Sequence, residues 1–238
     1  MNVIDSIIAS LPIHAHERRP YIAVAYAQSI DGSITSYRGT KLEMSSPESR
    51  VLSHQLRSRF DAVLVGIGTV LTDNPRLTVR LIEGRNPQTV VVDSQLSIPL
   101  DAQLLKNERL PWIFTTDRAD PKKRKTLEDM GTRIIRVRTD DQEKIDLHYV
   151  MRELLFLGIK TLLIEGGAHI INSLFQEKLI DAMVLYVAPV FVGGVHVIEH
   201  PLVEKGEESV RKKLPELDIK GNARLGNDIV IWGIMGHE

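Results

Sequence analysis

The chain contains no cysteine, which removes disulfides, thiolate metal sites and a thiol nucleophile together. It carries almost no net charge: 30 basic against 31 acidic side chains leave −1 at pH 7. No bulk electrostatic pull toward nucleic acid or an anionic membrane is therefore written into it. Long apolar runs are also missing, and none approaches the roughly 18–20 residues that a membrane-spanning helix needs. The opening MNVIDSIIASLPIHAHERRP has no basic start and carries Asp5. No secretory signal is read there, and a cytoplasmic location is expected. The histidines do not cluster: His14 and His16 lie near the start, His169 one residue into a candidate helix, and His196 and His200 in a candidate loop. No HExxH or comparable ligand spacing is present, so no metal is expected. There is no GxSxG elbow either, which disfavours a hydrolase working through a covalent intermediate. Internal repeats, low-complexity segments and linkers are absent.

What remains is an ordinary globular composition, 43% hydrophobic and 26% charged over 238 residues. Short apolar runs recur at 21–27, 62–65, 89–92, 112–115, 133–137, 161–164, 183–188 and 228–232. Several are rich in Val and Ile without alternation, as strands buried on both faces should be. Helical patterns fall between them. Ser46-Pro47-Glu48 supplies an N-cap, a first-turn proline and an early acid for a helix to Arg59. Asp120-Pro121 opens another, ended by Gly131, and Asp146 caps a third, ended by Gly158. Gly167 leads a fourth, with Ile170, Ile171, Leu174 and Leu179 on one face. Such alternation predicts an α/β fold with a mostly parallel central sheet and helices on both faces. The last two strands, with turn-rich sequence near them (Gly221, Asn222, Gly226, Asn227), are expected to pair antiparallel at an edge. Residues 21–238 are read as one domain. Residues 1–20, with a short amphipathic segment at 3–11, are read as an appendage.

Four stretches can carry chemistry. In LLIEGGAHI (162–170) a strand meets Glu165, then Gly166 and Gly167, then a helix. Unpaired N–H groups at such a helix start favour an anion, and glycine lets it approach. A plain helix entry is the competing reading. In VGIGTVLTDNPRLTVR (65–80), Gly66 and Gly68 follow a strand, Thr69 brings a hydroxyl, Asp73 an acid, and Arg76 and Arg80 two cations. In a parallel sheet this strand end shares a side with Glu165, so both can face one crevice. Arg57 and Arg80 are candidate partners for a phosphate. AQSIDGSI (27–34) ends the first strand with a hairpin-type turn at Asp31-Gly32. Its small residues Ala27 and Ser29 leave room for a flat ring. VVVDSQ (90–95) ends a strand at Ser94, which caps either a phosphate or the following turn.

In chain order the blocks SIDG, SSPESR, LRSRFDAVLVGIGTVLTDNPRLTVR, RNPQTVVVDS, LLIEGGAHIINSLFQEKLIDAMVLYVAPVFVGG and LGNDIVIWG resemble one family over about residues 20–235. That family is the reductase of riboflavin biosynthesis: the C-terminal half of the bacterial bifunctional deaminase/reductase and its stand-alone archaeal and fungal counterparts. The resemblance implies a dihydrofolate-reductase-like fold, a homodimer, and NADPH-dependent reduction of the ribosyl side chain of a ribosylaminopyrimidine 5′-phosphate to ribityl. It implies cofactor contacts at Ala27, Gly66, Thr69, Asp73, Ser94, Gly166, Gly167, Ala168, His169 and Ile170. Substrate contacts are implied at Lys41, Arg57, Leu77, Arg80 and Glu165. Bacterial bifunctional members carry a lysine in the first strand where this chain has Ala25, and their substrate loop is replaced here by Gly39-Thr40-Lys41-Leu42-Glu43.

Hydride transfer needs no covalent nucleophile, because the cofactor supplies reactivity and the protein supplies position. The acceptor is an open-chain imine at the sugar's first carbon, and opening the ring requires a proton to move. Asp73 and Glu165 are the acids expected to serve the reaction, with their division of labour open. Both the deaminated and the non-deaminated pyrimidine remain candidate substrates. The competing functions are an NADPH reductase of a pterin or another small substrate, and a non-catalytic nucleotide-binding module.

Overall fold

The computed structural model describes residues 2–139, 144–198 and 214–236. Among these, nine strands form one sheet. Its centre is built from β1 (Tyr21–Ser29), β3 (Ala62–Gly66), β4 (Gln88–Val92), β5 (Trp112–Thr115), β6 (Arg133–Arg136), β7 (Thr161–Ile164) and β8 (Ala182–Ala188), and it is extended by β10 (Leu217–Leu225) and β11 (Asp228–Met235). The spatial order is β10-β11-β8-β1-β7-β3-β4-β5-β6. All pairings from β8 through β6 are parallel, and β11 and β10 add on antiparallel. The expected architecture is therefore present, with seven of the eight sequence-read strands in the parallel array and the eighth, β11, beside it.

Side chains alternate between the two faces of the sheet with a period of two. Ile22, Val24, Leu64, Val90, Leu162 and Ile164 enter one cluster with α5 (Leu147–Phe156) and α6 (Ala168–Gln176). On the opposite face, Tyr21, Ala23, Ala25, Leu163 and Val184 meet α1 (Val3–Ser10) and α2 (Pro47–Arg59). Farther along that face, Val63, Val65, Val91 and Ile113 meet α3 (Ile67–Asp73), α4 (Pro121–Asp129) and a 3-10 turn at Gln103–Lys106. The caps read from sequence hold: Ser46, Asp120 and Asp146 each accept a first-turn N–H. No helix among the described residues is long and apolar enough to cross a membrane.

Residues 2–20 share the core. Ile4, Ile7 and Leu11 are buried against Leu52, Leu56, Phe60 and Trp232, each worth roughly 1.5–3 kcal/mol of burial. The Trp232 indole N–H donates to Ser10 Oγ at 3.0 Å. Arg19 closes the segment with two bonds to Asp181, at 2.6 and 2.7 Å, and Asp181 also accepts the Ile22 amide at 2.8 Å.

Three local features correct or extend the expectations. Strand β11 pairs antiparallel with β8 as expected, but the edge is taken by a further strand, β10, which contains Gly221 and Asn222. An edge strand half-exposed on both faces carries no apolar run, and Gly221 is needed because a Cβ there would strike the Trp232 ring. Second, Asp31-Gly32 turns the chain, with Gly32 at φ +81°, but makes no hairpin. Strand β2 (Ser33–Thr35) pairs with β9 (Val195–His196) instead. The Asp31 carboxylate accepts the Val192 and Gly193 amides at 3.0 and 2.7 Å and so binds the distant loop. Third, the glycine-bearing stretch after β3 continues as a helix over Ile67–Asp73. Gly66 is its N-cap, Gly68 packs against nothing, and Asn74 ends it at φ 42°.

Candidate active site

Strand register leaves a step at the carboxyl edge of the sheet. Val24 of β1 is paired with Ile164, the last residue of β7, yet β1 runs on to Ser29 beside β8. Ala25, Tyr26, Ala27 and Gln28 thus overhang the end of β7, while β3 flanks it on the other side. The Glu165-Gly166-Gly167 turn fills the gap, at the carboxyl edge where parallel sheets hold ligands. Alternation then separates two functions. Ile164 faces α5 and α6, so Leu163 and Glu165 face α2.

The glycines serve the α6 side. Gly166 and Gly167 have φ of 90° and 89°. A Cβ on Gly167 would lie 3.1 Å from Thr69 Oγ1 and 3.3 Å from Ile170 Cγ2, and one on Gly166 would lie 3.4 Å from the same hydroxyl. The starts of α3 and α6 therefore converge on Thr69. Gly167 caps α6 without a side chain, leaving the Ala168, His169 and Ile170 amides to accept an anion from solvent. A Cβ-free approach beside a hydroxyl and a helix start fits a dinucleotide pyrophosphate. Ile170 itself is buried, so only its main chain faces that way.

Glu165 belongs to α2. Arg57 Nε donates to Oε1 at 2.8 Å and Nη2 to Oε2 at 2.6 Å, with each side chain 12% exposed. Burial alone would lower the Arg57 pKa, but the carboxylate outweighs it and raises it. The third guanidinium donor reaches the Thr78 carbonyl at 3.1 Å. Arg80 follows in the same segment, exposed, its pKa lowered by burial of its environment and by the charges of Arg57 and Arg76. Against the three arginines stands the single carboxylate of Glu165, itself paired with Arg57, so the group keeps an excess of positive charge. Leu77 has a left-handed backbone, φ 56°, and a buried side chain; it can offer the site main chain only.

Two residues in this arrangement escaped the sequence. His54, one turn before Arg57 on α2, is buried, and its Nδ1 accepts the Arg80 amide at 2.9 Å. Tyr186 on β8 is buried with its hydroxyl 3.3 Å from Ser53 Oγ. Burial raises its pKa, opposed by Ser53 and reinforced by the Glu165 charge. The i, i+3 spacing of His54 and Arg57 is the one signal that could have drawn attention.

The 36–43 loop reaches the same rim. Arg38 Nη1 lies 3.2 Å from His169 Nε2, and Lys41 pairs with Glu43 at 2.6 Å. Asp73 is an exposed residue whose carboxyl is nonetheless held above its ordinary pKa by the desolvation of its surroundings, with Lys41 opposing and Glu43 adding. Ser94 lies two residues beyond Val92, the last residue of β4 and the register partner of Gly66, so it is on the same edge. Its carbonyl accepts from the Thr116 amide and hydroxyl and from the Thr115 hydroxyl. Ser29 is buried and bonded to Asp31 and Ser33, which takes it out of the site. His16 contacts Asp181 at 2.9 Å, far along the chain from the site, and His196 bonds the Asp31 carbonyl. His200 lies outside the described residues. A cavity of 340 Å³ between α1, α2 and residues 82–85 is lined by none of the predicted site residues, which gather at the strand ends instead.

Against known proteins, residues 20–231 match the RibD C-terminal domain. The chain is 33% identical over 224 residues to 2,5-diamino-6-ribosylamino-4(3H)-pyrimidinone 5′-phosphate reductase of Aquifex aeolicus, covering 91% of this chain and 97% of that protein. It is also 33% identical over 219 residues to the riboflavin biosynthesis protein RibD of the same organism, spanning 58% of its length. The solved structure of Acinetobacter baumannii RibD shares the fold, with a TM-score of 0.79 at 24% identity over 93% of this chain and 59% of that one.

Proposed function

The chain belongs to the RibD C-terminal domain family, and from that premise we propose that it reduces a ribosylaminopyrimidine 5′-phosphate in riboflavin biosynthesis, with NADPH as the hydride donor. The observation that carries this reading is the division of the strand edge into two sides. A glycine-lined helix start suited to a dinucleotide adjoins a guanidinium group suited to a sugar phosphate, with Glu165 between them. The near full-length match to a stand-alone reductase favours the non-deaminated pyrimidine as substrate.

Gly166, Gly167, Thr69 and the first amides of α6 would hold the cofactor, which when bound supplies a hydride to the first ribosyl carbon. Arg80, with Arg57 and Arg76 reinforcing its field, meets the 5′-phosphate. Breaking the bond from that carbon to the ring oxygen leaves a protonated imine (iminium) on the pyrimidine amine nitrogen, and the ring oxygen takes one proton. Glu165 is poorly placed to supply it, because both its oxygens are engaged by Arg57; we assign it to orienting the ribosyl chain. Asp73, whose pKa is raised by desolvation, is the better proton carrier. One hydride and one proton enter, and the amine nitrogen keeps its hydrogen.

Purified protein should oxidise NADPH with 2,5-diamino-6-ribosylamino-4(3H)-pyrimidinone 5′-phosphate faster than with its deaminated counterpart. No turnover of either by folded protein would defeat the proposal. Faster turnover of dihydrofolate would transfer it to a pterin reductase. The homodimer implied by the family resemblance is checked by sedimentation of the same sample.

A further inference from the structure

The segment that carries Arg80 is an irregular stretch between α3 and β4 with little main-chain support of its own. Side chains hold it instead. Asn86 Oδ1 accepts the Val79 amide at 2.7 Å, Arg57 donates to the Thr78 carbonyl at 3.1 Å, and His54 Nδ1 accepts the Arg80 amide at 2.9 Å and the Leu81 amide at 3.5 Å. The stretch begins at Leu77 with φ 56°, a conformation that a leucine keeps only when its surroundings over-determine it. Of the three holders, only His54 grips Arg80 itself.

We infer that His54 is a positioning residue for phosphate recognition: its neutral imidazole fixes the main chain of Arg80 and thereby aims that guanidinium. The inference rests on the reading that Arg80 meets the substrate phosphate. Three facts support it. His54 is 3% exposed, so it has little solvent to offer Nδ1 an alternative partner. An accepting Nδ1 requires the proton on Nε2, which fixes the tautomer. The guanidinium it steers feels the repulsion of Arg57 and Arg76 and the weaker attraction of Glu165, so these charges alone do not fix where an unanchored Arg80 points. A protonated imidazole would lose the accepting lone pair and add another cation. Burial, then the charges of Arg57 and Arg80, lower the His54 pKa to about 4, which keeps the accepting form present at neutral pH.

The test compares His54→Leu, which removes the acceptor, with His54→Asn, whose Oδ1 falls near the position of Nδ1. Each is assayed on the phosphorylated substrate and on the same ribosylaminopyrimidine without phosphate. His54→Leu should raise KM for the phosphorylated substrate about tenfold, with kcat and the NADPH KM each within about threefold of the parent. The unphosphorylated substrate should be used as the parent uses it, and His54→Asn should restore most of the loss. Added to His54→Leu, Arg80→Ala should cost less than about threefold more, because the two act on one contact. Equal losses on both substrates, or losses that multiply, would overturn the inference while leaving the phosphate reading intact. If Arg80→Ala alone leaves KM for the phosphorylated substrate unchanged, the phosphate reading falls and this inference with it. Should His54→Leu fail to fold, His54→Gln, with its acceptor displaced toward Nε2, replaces it and must show the same selective loss.

Discussion

Replacing Gly167 by alanine separates backbone strain from the cost of filling the cradle. Gly167 has φ 89° and ψ 102°, outside the left-handed helical region, and an L side chain held there costs roughly 1–3 kcal/mol. The added Cβ would also lie 3.1 Å from Thr69 Oγ1 and 3.3 Å from Ile170 Cγ2. Both partners sit on packed helices, so relieving those contacts by a few tenths of an ångström adds about 1 kcal/mol or more. The sum is roughly 2–4 kcal/mol. Gly158 is the control: φ is 87° there, but nothing lies within 4 Å of an added Cβ. Gly158→Ala should therefore lose only about 1–2 kcal/mol. Urea unfolding gives both losses. Steady-state kinetics should show the NADPH KM raised about tenfold by Gly167→Ala and unchanged by Gly158→Ala, since only the first puts a methyl group where a pyrophosphate approaches. Thr69→Ala in the Gly167→Ala background should recover part of the stability, having removed the nearest atom. If the two glycine variants share one NADPH KM, the cradle assignment is wrong; if they lose equal stability, the packing argument is.

Glu165→Gln keeps the shape of the Arg57 contact but removes its charge. It should lower kcat by about a hundredfold or more, leave the NADPH KM within about twofold, and destabilise by roughly 1–3 kcal/mol, less than a fully buried pair because 12% of each side chain is exposed. A defect confined to NADPH affinity would contradict its place on the α2 side. Ile7→Ala, at a fully buried position, should cost roughly 2–5 kcal/mol in denaturant unfolding; a loss well under 1 kcal/mol would mean that α1 is dispensable to the core. The His54 pKa falls from 6.5 to about 4 on folding. Between those values the unfolded chain binds the proton and the folded chain does not, so its contribution is complete above 6.5 and is lost as pH falls toward 4. Subtracting the pH–stability curve of His54→Asn from that of the parent should expose this slope, and a flat difference would refute it.

The alternation of short apolar strands with capped helices was legible because both patterns are local. A proline after Ser46, or a glycine after Met130, acts within a turn of the chain. The paired glycines and Glu165 were also legible as a strand-to-helix junction. The helix at Ile67–Asp73 was not, because Gly66 and Gly68 mimic breakers and only burial of Val70 against the sheet reveals the helix. Edge strand β10 was missed for the opposite reason. Most of its residues are exposed or half-exposed, so it carries no hydrophobic period to read.

The sequence by itself determined the class of fold and the carboxyl edge of the sheet, since these follow from periodicity and caps; the candidate groups there came from residue type and from the family resemblance. Only the tertiary structure decided which of these groups meet. Arg57 and Glu165 are 108 residues apart in the chain, and His54 and Arg80 are 26 apart; no window of sequence contains either relation. Both arise because the parallel sheet brings α2, the Arg80 segment and the end of β7 to one edge. The alternation of side chains along β7 then turns Glu165 toward α2, while the glycines after it open toward α6.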